Sequence, residues 1–289
     1  MNGPLFDTGL GVRCEQVGHV YTSNGTSTVA LDELDLTIRA GESLAVLGAS
    51  GSGKSTFVSL LAGFQRPTSG HLYIGADDVA GMTERELLDL RGQRVGIVMQ
   101  NPARNLLPYG SGTANVAFAQ RAAHGYRRDQ LPKPAELLDQ LGLGELAHRH
   151  VKAMSGGEKQ RVAIAIGICA APGLLVADEP TSQLDRHSRD RVVELLTEIS
   201  RQFGTTVVVV THDPEVAAAF GRTVTIRDGR VNDDDQAVEQ WTRVGADRSI
   251  PLPPDLDERL PPGTRLRIIR KPGGVEFVRE PGTDSAGPS

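Results

Sequence analysis

The segment Gly48-Ala49-Ser50-Gly51-Ser52-Gly53-Lys54-Ser55 fits the pattern G-x-x-x-x-G-K-[ST], and no other stretch of the chain narrows the fold as much. The apolar run Leu44-Ala45-Val46-Leu47 precedes it, and Thr56-Phe57-Val58-Ser59-Leu60-Leu61-Ala62 follows with helical spacing. Strand, glycine loop and helix in this order predict a backbone that wraps a polyphosphate with its N–H groups, seated on the positive end of a helix. Lys54 adds a full positive charge and Ser55 a hydroxyl for Mg²⁺, while Thr56 extends the candidate binding residues into the first helical turn. The bland alternative is a glycine-rich turn, which the complete pattern and its flanks disfavour. Read alone, the loop does not separate a kinase from a motor.

A chain of 289 residues can hold one large core or two modest domains. Its net charge of −5, with both signs interspersed, gives no general pull toward nucleic acid or an anionic membrane. Cys14 and Cys169 stand in apolar contexts without a spacing motif, so they are expected to be reduced core residues of a cytosolic protein. The longest nearly uncharged stretch, Val162 to Ala177, is broken by Pro172-Gly173 and is too short to span a bilayer. Met1 to Asp7 lacks the basic and apolar regions of a signal peptide. The chain is expected to be soluble and cytoplasmic.

Strands are predicted at Val12 to Val17, Leu34 to Ile38, into the glycine loop, and at His71 to Ile74 and Arg94 to Met99. Thr83 and Glu86 have the spacing of a capping box for a helix through Leu90. Helices follow at Ala135 to Leu141, Glu158 to Ala170 and Arg189 to Phe203, with buried strands at Leu174 to Ala177 and Thr206 to Thr211. Asp213 and Pro214 suit the start of a short helix, and Asp228-Gly229 suits a hairpin between Thr223–Arg227 and Arg230–Val231. Alternating buried strands and helices after a phosphate loop predict an α/β fold with a largely parallel sheet and the ligand at its strand C-terminal ends. After Val231 the composition shifts to acidic and proline-rich, so residues 233–289 are expected to be an extension of exposed linker. Within it, 265–279 can pair as a hairpin around Pro272-Gly273-Gly274, and Pro281 to Ser289 is expected to be disordered.

Two further segments carry chemistry. Leu174-Leu175-Val176-Ala177-Asp178-Glu179 is an apolar strand that delivers two acids at its end. There Asp178 can hold Mg²⁺ and Glu179 can deprotonate an attacking water; a solvated pair at a strand end is the alternative. In Met154-Ser155-Gly156-Gly157-Glu158-Lys159-Gln160-Arg161, Ser155 and Glu158 have capping-box spacing, and the two glycines leave the helix start open to a ligand. One nucleotide needs one phosphate cradle, so this second donor set is expected to serve a nucleotide held by another subunit, although by itself it reads as an ordinary cap. His148 and His150 lack a third ligand nearby and read as surface residues.

Together these motifs, in this order, resemble the ATP-binding subunit of an ATP-binding cassette (ABC) transporter over about residues 12–232. The resemblance implies a P-loop NTPase core with an antiparallel β subdomain and a helical subdomain at about 101–170. It also implies ATP hydrolysis with Mg²⁺ and two cassettes that sandwich two ATP molecules. Met154 to Gln160 is similar to the family signature, with methionine where leucine is commonest. Tyr21 resembles the aromatic that stacks on adenine. Gln100 resembles the glutamine that senses Mg²⁺ and the attacking water, and His212 the switch histidine that contacts the γ-phosphate. Ser182-Gln183-Leu184-Asp185 resembles the loop that touches the opposite subunit's site, with Asp185 holding the dimer geometry.

The partners so implied are integral membrane permease subunits, docked by a helical region from Asn101 to about Tyr126, and a second ABC ATPase subunit in a homodimer or heterodimer. The subunit is expected to be peripheral on the cytoplasmic face of the membrane. The compact cassette resembles the lipoprotein-release, macrolide-efflux and cell-division group, which favours export or mechanotransmission, with an importer as the alternative. A non-transport ABC ATPase acting on DNA or ribosomes is disfavoured by the acidic charge and the absence of a long coiled-coil insertion or a second cassette. A kinase or GTPase would leave the Met154 to Arg161 segment unexplained, and no N-K-x-D guanine motif is present.

Overall fold

The structure, a computed structural model, describes residues 9–23, 26–122, 129–233, 266–271 and 274–279. β1 (Val12–Ser23) and β2 (Thr26–Ile38) pair antiparallel, and on β2 Leu34, Leu36 and Ile38 are buried while Asp35 and Thr37 face outward. β1 continues past the expected end at Val17. Gln16, at φ 50°, sits where the register shifts between Cys14 and Val17, and this bulge breaks the two-residue alternation by which a strand is recognised. β3 (Ser43–Leu47) feeds α1 (Lys54–Leu61), after which β4 (Ser69–Ile74) and β5 (Asp77–Asp78) complete a four-stranded antiparallel sheet in the order β2-β1-β4-β5.

α2 (Glu84–Asp89) opens on the Thr83–Glu86 capping box. Then come β6 (Val95–Val98), α3 (Gly112–Ala119), α4 (Pro134–Gln140), α5 (Gly156–Ile168) and β7 (Leu174–Asp178). α6 (Arg186–Phe203), β8 (Thr206–Thr211), α7 (Pro214–Ala217) and the hairpin of β9 (Arg222–Arg227) with β10 (Arg230–Asp233) follow. α5 starts earlier than expected because Ser155 is its N-cap, making Gly156 the first helical residue. α6 does so because the Asp185 carboxylate accepts the Ser188 N–H at 3.0 Å.

The second sheet has the order β10-β9-β3-β8-β7-β6, with the pairs from β9 to β6 all parallel. Its inner strands are buried on both faces, hence their unbroken apolar sequences. Leu175, Ala177, Val207 and Val209 face one core with Val162, Ile164, Leu196 and Ile199 from α5 and α6. Leu174, Val176, Val208 and Val210 face the other with Phe57, Leu60 and Leu61 of α1 and the apolar side of the antiparallel sheet. Each such Leu or Phe, fully buried, contributes about 1.5–3 kcal/mol, so the strand ends that carry polar groups are held by a rigid base. Cys14 and Cys169 are buried free thiols, and burial pushes both up to about 12, which leaves them unreactive.

β6 and α5 approach at glycines: a methyl group on Gly96 would collide with the Gly167 carbonyl oxygen. Overpacking of this kind costs about 1–3 kcal/mol, so Gly96→Ala is expected to lower the thermal midpoint by about 3 °C or more. Calorimetry checks this, and an unchanged midpoint would mean that strand and helix part freely.

The fold is α/β, with a mainly parallel sheet, an antiparallel sheet and helices. The chain divides into two compact units, Met1–Val238 and Glu239–Ser289. In the second, β11 (Leu266–Lys271) and β12 (Gly274–Arg279) pair antiparallel. The expected linker after Asp233, the turn at Pro272-Gly273, the segment Pro281 to Ser289, Met1 to Asp7 and the end of the docking region at Tyr126 lie outside the described residues. Among the described residues no helix is long and apolar enough to cross a membrane.

Candidate active site

The loop between β3 and α1 is shaped by glycines at positive φ: 82° at Gly51 and 107° at Gly53, a region that side chains with a Cβ rarely enter. At Gly53 a Cβ would also strike the Ala30 carbonyl oxygen. No side chain caps α1, so the N–H groups of its first turn face the loop. Among the described residues the buried Ser52 hydroxyl has no hydrogen-bond partner, while its carbonyl accepts the Gly229 N–H at 3.1 Å. Lys54 is 7% exposed and its ammonium donates to the carbonyls of Gly48 and Ala49, both at 2.6 Å. An orphan hydroxyl, an uncapped helix start and a lysine hydrogen-bonded to two loop carbonyls are donors assembled round one concavity. They fit a polyphosphate.

Parallel topology brings the other groups to the same edge, because the C-terminal ends of β3, β6, β7 and β8 lie side by side. Asp178 ends β7 and Glu179 follows at φ 46°, its N–H held by the Val210 carbonyl on β8 at 2.9 Å. His212, just past β8, places Nδ1 at 2.8 Å from Glu179 Oε2. Gln100, beyond β6, donates from Nε2 to the Ser182 hydroxyl at 3.4 Å. Burial lowers the Lys54 ammonium below its ordinary value, opposed by Glu179 and then Asp178. Burial, then Glu179, raises the Asp178 carboxyl above the usual range, with Lys54 opposing. Ser55 is exposed in the first turn of α1, and the Thr56 hydroxyl lies 3.3 Å from the Tyr21 hydroxyl. Ser55, Asp178 and Gln100 offer hydroxyl, carboxylate and amide oxygens, the hard donors that Mg²⁺ takes.

The raised Asp178 carboxyl has a sign that can be tested. In the unfolded chain the group ionises near pH 3.9, whereas the folded, nucleotide-free protein keeps it protonated to higher pH. Ionisation therefore destabilises the fold progressively as pH rises through the folded range, and fully above it. Asp178→Asn is expected to raise the melting temperature of the nucleotide-free protein at pH 7–8, with the gain vanishing toward pH 4. A gain independent of pH would contradict this reading.

Tyr21 sits on β1 and is 40% exposed, its hydroxyl donating to Gln65 Oε1 at 2.9 Å and its ring edge-on to His19, centroids 4.7 Å apart.

Ser155 and Glu158 form the anticipated capping box: the Ser155 hydroxyl accepts the Glu158 N–H at 3.2 Å, and the Ser155 N–H donates to Glu158 Oε2 at 2.8 Å. The Ser155 N–H holds the Glu158 carboxyl below its usual value, aided by Arg149 at 2.7 Å and opposed by burial. Gly156 and Gly157 lead into α5, and a Cβ on Gly157 would lie 2.6 Å from the Ser188 hydroxyl. Asp185 is engaged on that same serine, accepting its hydroxyl at 2.8 Å as well as its N–H. Among the described residues, no hydrogen bond joins Ser155 or Glu158 to the Gly48–Ser55 loop. The structure thus assembles Lys54, Asp178, Glu179, His212 and Gln100, and sets the Ser155–Glu158 turn and Asp185 in a second group.

Sequence reading missed the Gln100–Ser182 contact, the Gly229 tether on Ser52, and Arg189, which reaches the residues following His212. The only sequence signal for Arg189 is its place one helical turn after a cap-type aspartate. A cavity of about 310 Å³ opens beside Glu179 and His212 and is lined also by Ser182, Arg186 and Arg189.

Comparisons with known proteins show the family. The family described as ABC transporter matches residues 31–182, more than half of the chain. A lipoprotein-releasing system ATP-binding protein, LolD, of Anaeromyxobacter dehalogenans is 41% identical over 212 residues, 73% of this chain and 88% of that one. The methionine import ATP-binding protein MetN of Mesorhizobium japonicum is 35% identical over 254 residues, 88% of this chain and 69% of that one. Among solved structures, a dimeric ATP-binding cassette in a post-hydrolysis state with ADP and Pi superposes with a TM-score of 0.66. It is 31% identical and covers 77% of this chain and 98% of that one. The chain belongs to the ABC transporter family, as an ATP-binding subunit that hydrolyses ATP.

Proposed function

We propose that the chain is the ATPase of an ABC exporter or mechanotransmission system, peripheral on the cytoplasmic face of the membrane, paired with a second cassette and docked on a separate integral membrane permease. The observation that carries the paired cassette is the division of the site. Lys54, Asp178, Glu179 and His212 share one edge, while the capped helix start at Ser155-Gly156-Gly157 belongs to another group. In the reading proposed here, a second copy of that helix start covers the ATP held by the first copy's loop, and Asp185 fixes the geometry of the loop between them.

Each residue has a role in this reading. Tyr21 stacks on adenine; the backbone of Gly48 to Gly53, Lys54 and the first turn through Thr56 bind the phosphates. Ser55, Asp178 and Gln100 are the residues that would hold Mg²⁺. The ion, when bound, supplies neutralisation of the phosphate charge. Glu179 accepts a proton from water as the water oxygen bonds to the γ-phosphorus and the bond to the β–γ bridging oxygen breaks, leaving ADP and phosphate. His212 orients Glu179 through Nδ1 and turns its other nitrogen to the γ-phosphate. The partner cassette's signature, Ser155 to Glu158 by number, completes the phosphate contacts.

Export is favoured by the compact cassette: the alignment with the lipoprotein-releasing ATPase of Anaeromyxobacter dehalogenans covers 88% of that protein. Import is the second reading, favoured by the 254-residue match to the methionine import ATPase, of which only 69% is covered. No nucleic-acid partner is expected from a chain of net charge −5. Crosslinking and affinity purification of the full chain from solubilised membranes tests the proposal. An integral membrane protein is expected to co-purify, and recovery of ribosomes or DNA in its place would reverse it.

A further inference from the structure

Arg189 lies in the first turn of α6 and reaches across to the first turn of α7. Its Nη1 donates to Asp213 Oδ2 at 3.2 Å, its Nη2 to Glu215 Oε2 at 2.9 Å, and its Nε to Asp190 Oδ1 at 3.3 Å. Its backbone N–H is bonded to the Asp185 carbonyl at 2.9 Å, so the same residue is fixed to the end of the Ser182–Asp185 loop. Asp213 is the residue after His212 and works with both carboxylate oxygens. Oδ1 caps α7 by accepting the N–H groups of Glu215 and Val216, at 2.8 and 3.4 Å, and Oδ2 takes Arg189. On the other side of His212, Thr211 is fully buried at the end of β8, and its hydroxyl accepts the Asp213 N–H at 3.1 Å. His212 itself has a side chain 63% exposed. It hangs between two anchored neighbours and touches Glu179.

Magnitudes decide what the arginine is for. Glu215 and Asp190 are largely exposed, and ion pairs of that kind add little to global stability. Geometry is where the three bonds act, because a displacement of about 1 Å at a reacting group can cost on the order of 10²-fold in rate. We propose that Arg189 is a positioning residue for ATP hydrolysis: it braces Asp213 and Glu215 against the Asp185 end of α6, and so keeps His212 in register with Glu179. This rests on the roles proposed above for Glu179 and His212. It adds that the loop at Ser182–Asp185 and the histidine move as one piece.

The test uses the full chain and five variants. Arg189→Ala is expected to lower kcat about 10- to 100-fold with the KM for ATP changed less than threefold and the melting temperature nearly unchanged; Arg189→Gln serves should the alanine variant fold poorly. Asp213→Asn, which retains an oxygen for the α7 cap and loses the charge facing Arg189, is expected to lower kcat similarly, and the double variant no further than either single one. His212→Ala gives the reference, a fall at least as large. Imidazole resonances of the nucleotide-free protein give a reading independent of turnover: the His212 signals, assigned by their loss in His212→Ala, shift in Arg189→Ala while those of His71 and His148 stay. A parental kcat in both Arg189 variants, additive losses with Asp213→Asn, or unmoved His212 signals would each overturn the inference while leaving the function of His212 standing. A parental kcat in His212→Ala would instead remove the role of the histidine, and the inference with it.

Discussion

Glu179→Gln is expected to bind ATP as tightly as the parent protein and to hydrolyse it about 10²- to 10⁴-fold more slowly, the range that positioned general bases contribute. Glutamine keeps the length and the oxygen that faces His212 Nδ1 at 2.8 Å, so the loop, the histidine and the backbone bond to Val210 have no reason to move. What is lost is a group able to take the proton of water. Slow turnover with intact binding should trap two cassettes round ATP, seen as a nucleotide-dependent dimer in size-exclusion chromatography that does not form with ADP. Glu179→Ala separates the two functions of the side chain, since it removes both the base and the partner of His212. Steady-state hydrolysis at the parental rate in Glu179→Gln would end the general-base assignment.

The residues of this reaction differ in how far the sequence displays them. Lys54, Asp178, Glu179 and His212 each lie at or just beyond the end of a buried strand, and parallel packing gathers strand ends, so their proximity is implied once the strands are recognised. The capping boxes at Thr83–Glu86 and Ser155–Glu158 are local, complete within four residues, and equally visible. β1 was legible only as far as its bulge at Gln16, because periodicity is the signal and a bulge shifts its phase. Gln100 and Ser182 stand 82 positions apart, and Arg189 and Asp213 stand 24 apart. Neither pair carries a pattern in one sequence, since nothing local requires the contact. Asp185 shows the reverse ambiguity: a residue read as an inter-subunit contact is also the N-cap that starts α6 early. The two uses are compatible, because a capped helix start holds the loop before it in one conformation.

Lys54→Ala is expected to weaken ATP binding itself, about 10- to 150-fold, the equivalent of the roughly 1.5–3 kcal/mol of a hydrogen bond to a charged group. The nucleotide-free protein holds the ammonium on the Gly48 and Ala49 carbonyls at 2.6 Å, where it is buried beside two acids. Removing it releases the cost of burying a cation but takes away the positive charge that favours ionised Asp178. These effects oppose one another, so the melting temperature without nucleotide should change little. With nucleotide they do not cancel: ATP brings further negative charge into a loop that has lost its lysine. A ligand stabilises a fold by RT ln(1 + [L]/Kd), so saturating ATP should raise the melting temperature of the parent and raise that of Lys54→Ala far less at the same concentration. The same comparison distinguishes the cradle from catalysis, because Glu179→Gln should keep the full ATP-induced rise. An unchanged ATP affinity in Lys54→Ala would show that the backbone N–H groups and the start of α1 hold the phosphates without the lysine, and would confine Lys54 to the transition state.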